Sequence, residues 1–197
     1  MIKRLFDIFF SFFAIIILLP VFLIIALLIV LDSRGGVFYR QIRVGKGNRE
    51  FGLLKFRTMR KDAHKSGLLT VGGRDPRITN IGFFLRKYKL DELPQFFNIF
   101  IGDMSFVGPR PEVPKYVEMY NEQQMHVLDV KPGLTDYASI EYMDENDLLA
   151  KSDNPEKTYI EEIMPAKLKL NLRYIDDKSL ITDLMIIFRT LFKIVSR

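Results

Sequence analysis

The chain contains no cysteine, so disulfides and thiolate metal sites are excluded, and a reducing compartment such as a bacterial cytosol fits this usage. Histidine is nearly as scarce. His64 and His126 stand far apart without ligand spacing, which reads as surface or packing histidine rather than metal ligation. A Walker-type phosphate loop, GxxxxGK followed by Ser or Thr, occurs nowhere. Repeats and low-complexity tracts are not evident, and 197 residues with 48% apolar content are enough for one domain with attachments.

The net charge of +5 conceals an uneven distribution. Residues 1–60 carry +7 and 61–110 carry +3, whereas 111–163 carry −9 and 164–197 carry +4. Basic ends and a basic middle around an acidic segment suit a protein that lies on an anionic surface or holds an anionic ligand.

Long apolar runs are present at one place. From Ile8 to Leu31 only Ser11 and Pro20 interrupt 24 residues, enough to span a bilayer as a helix. A cleaved signal peptide is disfavoured, because the run is too long and no small-x-small site follows. Lys3 and Arg4 precede the run, and Arg34, Arg40, Arg43, Lys46 and Arg49 follow it, so both flanks carry charges that normally stay in the cytoplasm. Pro20 divides the run into Ile8–Leu19 and Val21–Leu31, roughly 18 and 16 Å long at 1.5 Å per residue, too short for either to cross alone. Proline also leaves the Ile16 carbonyl without its usual donor and bends the helix. These features favour a re-entrant hairpin of two short helices over residues 1–32, broken at Pro20, rather than a single span. Residues 33–197 are then a cytosolic domain with membrane-surface helices.

Beyond the run, Val37–Val44 and Phe51–Phe56 read as two short strands around the turn "GKGN". "GLLTVGGRDPRITNIG" reads as a loop. Glu92–Ile101 reads as a helix stopped by Gly102, and roughly Val113–Leu128 as another. "VKPGLTDYASI" is a turn followed by a strand-like piece, and the acidic run Met143–Glu162 a solvated loop running into a helix. Leu180, Leu184, Ile187, Leu191 and Ile194 recur at helical spacing, with Arg189, Lys193 and Arg197 on another face. That amphipathic tail suits either a core cap or a membrane-surface helix.

Asp91 and Glu92 stand side by side within "LRKYKLDELPQFFNIF", preceded by Arg86, Lys87 and Lys89. The plain reading is a helix cap: Asp91 at the N-cap, Glu92 in the first turn and Pro94 tolerated there. A helix N-terminus beside cations and a second rigid turn, "GPRP" at 108–111, is also a natural phosphate site, and the two readings are compatible. Adjacent helical side chains diverge by about 100°, so the two cannot act on one atom as a paired acid and base. They can divide the labour, one attacking as a nucleophile while the other holds a magnesium ion.

"FYRQIRVGKGNREFGLLKFRTM", "DPRITNIGFFLRKYKLDELPQFFNIFIGDMSFVGPRPE" and "VKPGLTD" closely resemble the bacterial sugar transferases, the small monotopic phosphoglycosyl transferases that act on polyprenyl phosphate. The resemblance covers roughly residues 1–137 and continues more loosely to the end. It implies transfer of a phosphosugar from a UDP-sugar to polyprenyl (undecaprenyl) phosphate, with release of UMP and a requirement for Mg²⁺, at the cytoplasmic face of the bacterial inner membrane. By the same resemblance Asp91 forms a covalent phosphosugar intermediate, Glu92 binds the metal and Arg110 binds phosphate. Arg86, Lys55, Arg57 and Arg77 lie in matching motifs as anion contacts. Two departures stand out: Leu19-Pro20 where the family usually has Ser-Pro, and "DYASIEYMDENDLLA" where many members have a Gly-Trp-Ala-Gln-Val-like run.

The expected fold is α+β and mainly helical, with the membrane hairpin, a small cytosolic domain containing a short β-hairpin, and interfacial amphipathic helices. Expected partners are the UDP-sugar, the polyprenyl phosphate lipid and the membrane; a homodimer is left open and nucleic acid is not among them. Two rivals remain: a glycosyltransferase that releases UDP, and a non-catalytic membrane-anchored scaffold in which the carboxylate pair is only a cap.

Overall fold

A 31-residue helix, α1 (Ile2–Asp32), opens the computed structural model. The structure describes residues 2–61, 63, 69–72 and 75–196, so His64, Arg197 and four positions of the expected loop (67, 68, 73 and 74) lie outside the described residues. Helical backbone continues through Pro20. The expected division into two separate helices is corrected accordingly: proline removes one donor, and the turns on either side keep their own bonds.

One stripe of α1 is buried: Asp7, Ser11, Phe22, Ile25 and Ile29. Most of its other apolar side chains, including Ile17, Leu23 and Leu31, are exposed, and the helix is long and apolar enough to cross a membrane. Ser11 is satisfied inside the run by donating to the Asp7 carbonyl at 2.6 Å.

Both ends of α1 are tied to the rest of the chain. Near its start, Lys3 donates to the Val107 carbonyl at 2.9 Å and pairs with Asp183, and Arg4 donates to the carbonyls of Ile99 and Phe100. At its end, Asp32 accepts from the Ile81 amide at 3.0 Å, and Arg57 donates to the carbonyls of Ser33 and Arg34. Helix termini expose carbonyls and amides that need partners, and Arg4, Asp32 and Arg57 supply them at the end of the 95–101 helix, the start of the 80–87 helix and the end of α1, while Lys3 fastens the start of α1 to the strand residue Val107.

β1 (Phe38–Val44) and β2 (Glu50–Phe56) form the expected antiparallel hairpin, in register from Phe38 opposite Phe56 to Val44 opposite Glu50. Gly47 and Asn48 take positive φ at its turn. Next comes α2 (Asn80–Lys87), capped by the Thr79 hydroxyl, which accepts from the Gly82 amide. α3 (Gln95–Ile101) ends at Gly102 in the left-handed conformation, as its sequence implied.

β3 (Ser105–Val107) and β4 (Gly133–Thr135) pair in parallel. The piece after β4 is not a strand. It is helix α6 (Tyr137–Glu141), because the Asp136 carboxylate caps it by accepting from the Ser139 amide at 2.5 Å. The expected helix over 113–128 is likewise corrected. It is two short helices, α4 (Pro114–Val117) and α5 (Glu122–Met125), followed by a 3₁₀ turn, because Asn121 and Gln124 form a capping box that starts a new helix.

The acidic run is more ordered than a solvated loop: α7 (Glu145–Ala150) and α8 (Pro155–Thr158) lead through a π-helical turn into α9 (Met164–Asp177). α10 (Leu180–Val195) closes the chain. Asp183 and Ile186 are its buried positions, whereas Ile181, Phe188, Phe192 and Val195 are exposed. Lys193 donates to the Ile140 carbonyl, so one of the expected basic-face residues caps α6 instead.

The core lies in connected patches. Phe22, Ile25 and Ile29 of α1 pack with Phe56 and Leu85, and the C-terminal half gathers Val113, Tyr116, Leu149, Tyr159, Met164 and Leu168. Val107, Tyr174 and Ile186 join β3 to the last two helices. The fold is mainly helical with one β-hairpin and a short parallel pair, and a cavity of about 1060 Å³ opens between its parts.

Candidate active site

Lys89 takes the left-handed conformation, φ 56° and ψ 19°, which costs a non-glycine residue on the order of 1 kcal/mol. That reversal ends α2 and starts the single 3₁₀ turn Leu90–Glu92, placing both carboxylates on the cavity wall. α3 begins only at Gln95, with Pro94 as its cap residue. Asp91 is therefore not the cap of that helix. It is 6% exposed, and its Oδ1 is buried without a hydrogen-bond partner.

Glu92 is held instead. Arg110 donates from both terminal guanidinium nitrogens to its two carboxylate oxygens, and the Lys55 ammonium lies 3.4 Å from Oε1. Three elements converge here: the turn before α3, strand β2 for Lys55, and the loop after β3 for Arg110. The loop is set by backbone. The Arg110 amide donates to Asp136 Oδ2 at 3.0 Å, and a side chain at Gly108 would collide with the Lys131 carbonyl.

Charge follows from this geometry. Burial pushes the Asp91 carboxyl above its ordinary value, and the Glu92 charge adds to the push, while Lys55, Arg86 and Lys89 act against it. Burial would also raise Glu92, but Arg110, Lys55 and Lys89 outweigh it and hold Glu92 well below the carboxylate range. Burial lowers Lys55 to about 8 in spite of Glu92, and Glu92 pulls Arg110 upward. The dyad is thus divided into an ionised, clamped member and an unclamped one.

All seven residues expected at the site, Asp91, Glu92, Lys55, Arg57, Arg77, Arg86 and Arg110, line the one cavity, but they do different things there. Arg86 reaches the Thr70 hydroxyl at 2.9 Å. Arg57 points its terminal nitrogens at the carbonyls that end α1, so it fastens that helix rather than facing a ligand with them. Arg77 is engaged by Asp75 through Nε and Nη2 and by the Leu69 carbonyl, which organises the loop. Pro20 is not part of the cavity wall.

A magnesium ion is compatible with the donor set. Mg²⁺ is commonly bound by one or two carboxylates, with water and substrate phosphate oxygens completing the octahedron. Glu92 is ionised and Asp91 carries a partnerless oxygen, while among the described residues no cluster of three or more metal-type side chains exists. Two protein carboxylates match the first pattern and not an all-protein cage.

Sequence reasoning assigned no role to Asp136, which joins the Arg110 loop to α6; an acidic residue directly before a helix-forming stretch is the signal for it. Glu112 was also missed. It accepts from Arg43 at 3.0 Å and from the Tyr159 hydroxyl, and it ties the end of the GPRP turn to β1 and to the π-helical turn. No local pattern announces it.

A family model described as bacterial sugar transferase matches residues 1–197. The chain belongs to the bacterial sugar transferase family. Among the relatives of this chain is the UDP-N-acetylgalactosamine-undecaprenyl-phosphate N-acetylgalactosaminephosphotransferase of Aeromonas hydrophila, 36% identical over 99% of this chain and 44% of the relative. The UDP-glucose:undecaprenyl-phosphate glucose-1-phosphate transferase of Klebsiella pneumoniae is 38% identical over 97% of this chain and 39% of its own length. The chain therefore spans less than half the length of these two. It covers 96% of the exopolysaccharide production protein PSS of Rhizobium leguminosarum bv. phaseoli, at 38% identity over 99% of this chain.

Proposed function

We propose that this bacterial sugar transferase moves a sugar 1-phosphate from a UDP-sugar to undecaprenyl phosphate and releases UMP. The observation that carries the reading is Asp91, a buried carboxylate on the cavity wall beside Lys55, Arg110 and Arg86, one of whose oxygens has no hydrogen-bond partner. A structural cap would have its oxygens on backbone amides; a nucleophile needs one in reserve.

In the first step an Asp91 oxygen attacks the sugar-bearing phosphorus, the bond to the UMP oxygen breaks, and UMP leaves with that electron pair. In the second, an oxygen of the lipid phosphate attacks the same phosphorus and the Asp91 carboxylate is freed. Negative charge builds on the phosphoryl oxygens in both steps, and Lys55, Arg86 and Arg110 are the cations placed to answer it. Glu92 keeps Arg110 and Lys55 oriented. Glu92 would be the residue to hold Mg²⁺, whose charge would neutralise the diphosphate and so reduce its repulsion of an attacking carboxylate.

The lipid acceptor requires the site to lie at headgroup depth. Both ends of α1 grip the same folded domain, Lys3 and Arg4 at one end and Asp32 at the other, which supports an α1 that enters and leaves the membrane on one side. A straight span would carry its ends about 45 Å apart on opposite faces. The exposed apolar positions of α10, Ile181, Phe188 and Phe192, support its lying in the interface, with the active site on the cytoplasmic face of the inner membrane.

A UMP-release assay with undecaprenyl phosphate, Mg²⁺ and a panel of UDP-sugars tests the reading. UMP is the expected product. Release of UDP would point to direct glycosyl transfer, and no turnover with any sugar would favour the scaffold.

A further inference from the structure

Six buried side-chain atoms lack a hydrogen-bond partner among the described residues, and five of them belong to residues on the wall of the cavity of about 1060 Å³. Arg43, Arg57 and Asp91 belong to the phosphate end or its supports. The other two do not. Ser139 on α6 and Asn171 on α9 are wall residues remote in sequence from the dyad; each has a buried oxygen, Oγ and Oδ1, without a partner, and no role has been assigned to either.

Asn171 is 4% exposed, and α6 packs directly on α9. A buried polar group without a partner costs roughly 1–3 kcal/mol, which is recovered only when a ligand or water answers it. Asn98 shows the alternative. It is equally buried, but it accepts from the Leu54 amide and donates to the Gly52 carbonyl, both at 2.9 Å, and so serves the fold. Gln95 Nε2 is the sixth orphan, and Gln95 does not line the cavity.

Ser139 is also fixed relative to the phosphate end. Its amide is held by Asp136 Oδ1, and the other oxygen of the same carboxylate holds the Arg110 amide. One buried carboxylate thus couples the phosphate-loop backbone to the helix that carries Ser139.

We propose that Ser139 and Asn171 form a sugar-reading subsite, in which a hydroxyl and a primary amide hydrogen-bond the hydroxyl or acetamido groups of the hexose whose phosphate sits at Arg110. This rests on the phosphotransferase reading. A hydroxyl and an amide each donate and accept, which matches the groups by which hexoses differ. Such a pair discriminates well, since a sugar lacking the matching group leaves a buried polar atom unpaired. Ser139 lies within the run where this chain departs from the family's usual sequence, so specificity here is written in residues of its own.

The test uses the full-length protein in detergent with undecaprenyl phosphate, Mg²⁺, UDP-glucose and UDP-N-acetylhexosamines. Asn171→Leu and Ser139→Ala raise KM for the preferred UDP-sugar roughly tenfold each, the size of one lost hydrogen bond, and narrow the preference between sugars. Ser139→Thr, which keeps the hydroxyl, stays near wild type. Inhibition by UMP, which lacks the sugar, is unchanged in all three. The melting temperature of Asn171→Leu is equal to or above wild type, because a partnerless amide is removed. Unchanged KM and sugar preference in both variants overturn the subsite while leaving the phosphotransferase reading intact. An equal loss of UMP inhibition assigns the pair to the nucleotide and overturns the proposal, as does a marked fall in melting temperature with unaltered sugar preference. Absence of UMP release by the wild type with every UDP-sugar fails the functional reading first and the subsite with it.

Discussion

Arg110 sets two guanidinium nitrogens against the two carboxylate oxygens of Glu92, so that the second member of the dyad is already neutralised within the chain. The clamp also keeps a cation pair, Arg110 and Lys55, gathered at the point where a diphosphate would place its charge. Glu92→Gln leaves these two cations with no formal counter-charge on that side chain. Breaking one partner of a largely buried pair costs about 3 kcal/mol or more.

The pH dependence of that loss has a definite sign. Glu92 titrates well below its ordinary 4.5, so its stabilisation is complete above that pH and is lost as pH falls through the lower folded-state value. Thermal melts of wild type and Glu92→Gln should therefore differ by a constant amount at neutral pH and converge in acid below about 4.5. The same variant is expected to show a weakened dependence on Mg²⁺ in UMP release.

Asp91→Asn keeps the size and removes the nucleophile. UMP release should fall by several orders of magnitude, as for nucleophile removal elsewhere. Burial and the Glu92 charge raise the Asp91 pKa, so its ionised form destabilises the fold as pH rises above the unfolded value of 3.8. The neutral amide removes that penalty. Melting temperature at pH 7 is expected to stay level or rise, and a large fall would show that Asp91 is structural.

That the seven expected residues would share one cavity was legible from the motifs that resemble the family, several of which lie in short rigid segments. Pro94 and the GPRP turn that help fix Asp91, Glu92 and Arg110 are visible in the sequence, whereas the left-handed Lys89 that turns the chain before the dyad is not. The β-hairpin was legible to within a residue, since alternation and the GKGN turn agree. What escaped was decided at long range. Arg57 and Arg77 are cations in matching motifs, but whether a guanidinium meets a ligand, a helix end or a neighbouring aspartate depends on what folds beside it. The helices after residue 113 were misjudged because capping by Asn121 and Asp136 overrides the periodicity of the apolar residues.

Lys55 offers a kinetic signature. Burial lowers it to about 8, so its positive charge is lost as pH rises through that value. kcat/KM for the UDP-sugar, which reports the free enzyme, should decline above about pH 8 with a single titration. Lys55→Arg, whose charge persists, should flatten the decline.

Absence of cysteine makes the membrane arrangement directly measurable. Single cysteines at Ile2, the first residue of α1, and at Gly36, beyond its last, mark the two ends, and a membrane-impermeant thiol reagent reports the side each occupies. Both should be labelled from the cytoplasmic side only. Labelling of one from the periplasm would establish a straight span and remove the re-entrant reading.

The most direct measurement of the central claim is the intact mass of the protein after incubation with a UDP-sugar and Mg²⁺ in the absence of lipid acceptor. The account predicts a gain equal to one sugar phosphate, located on Asp91, released on addition of undecaprenyl phosphate and absent from Asp91→Asn. UMP release by the wild type in the presence of lipid, with no such adduct and undiminished in Asp91→Asn, would contradict it.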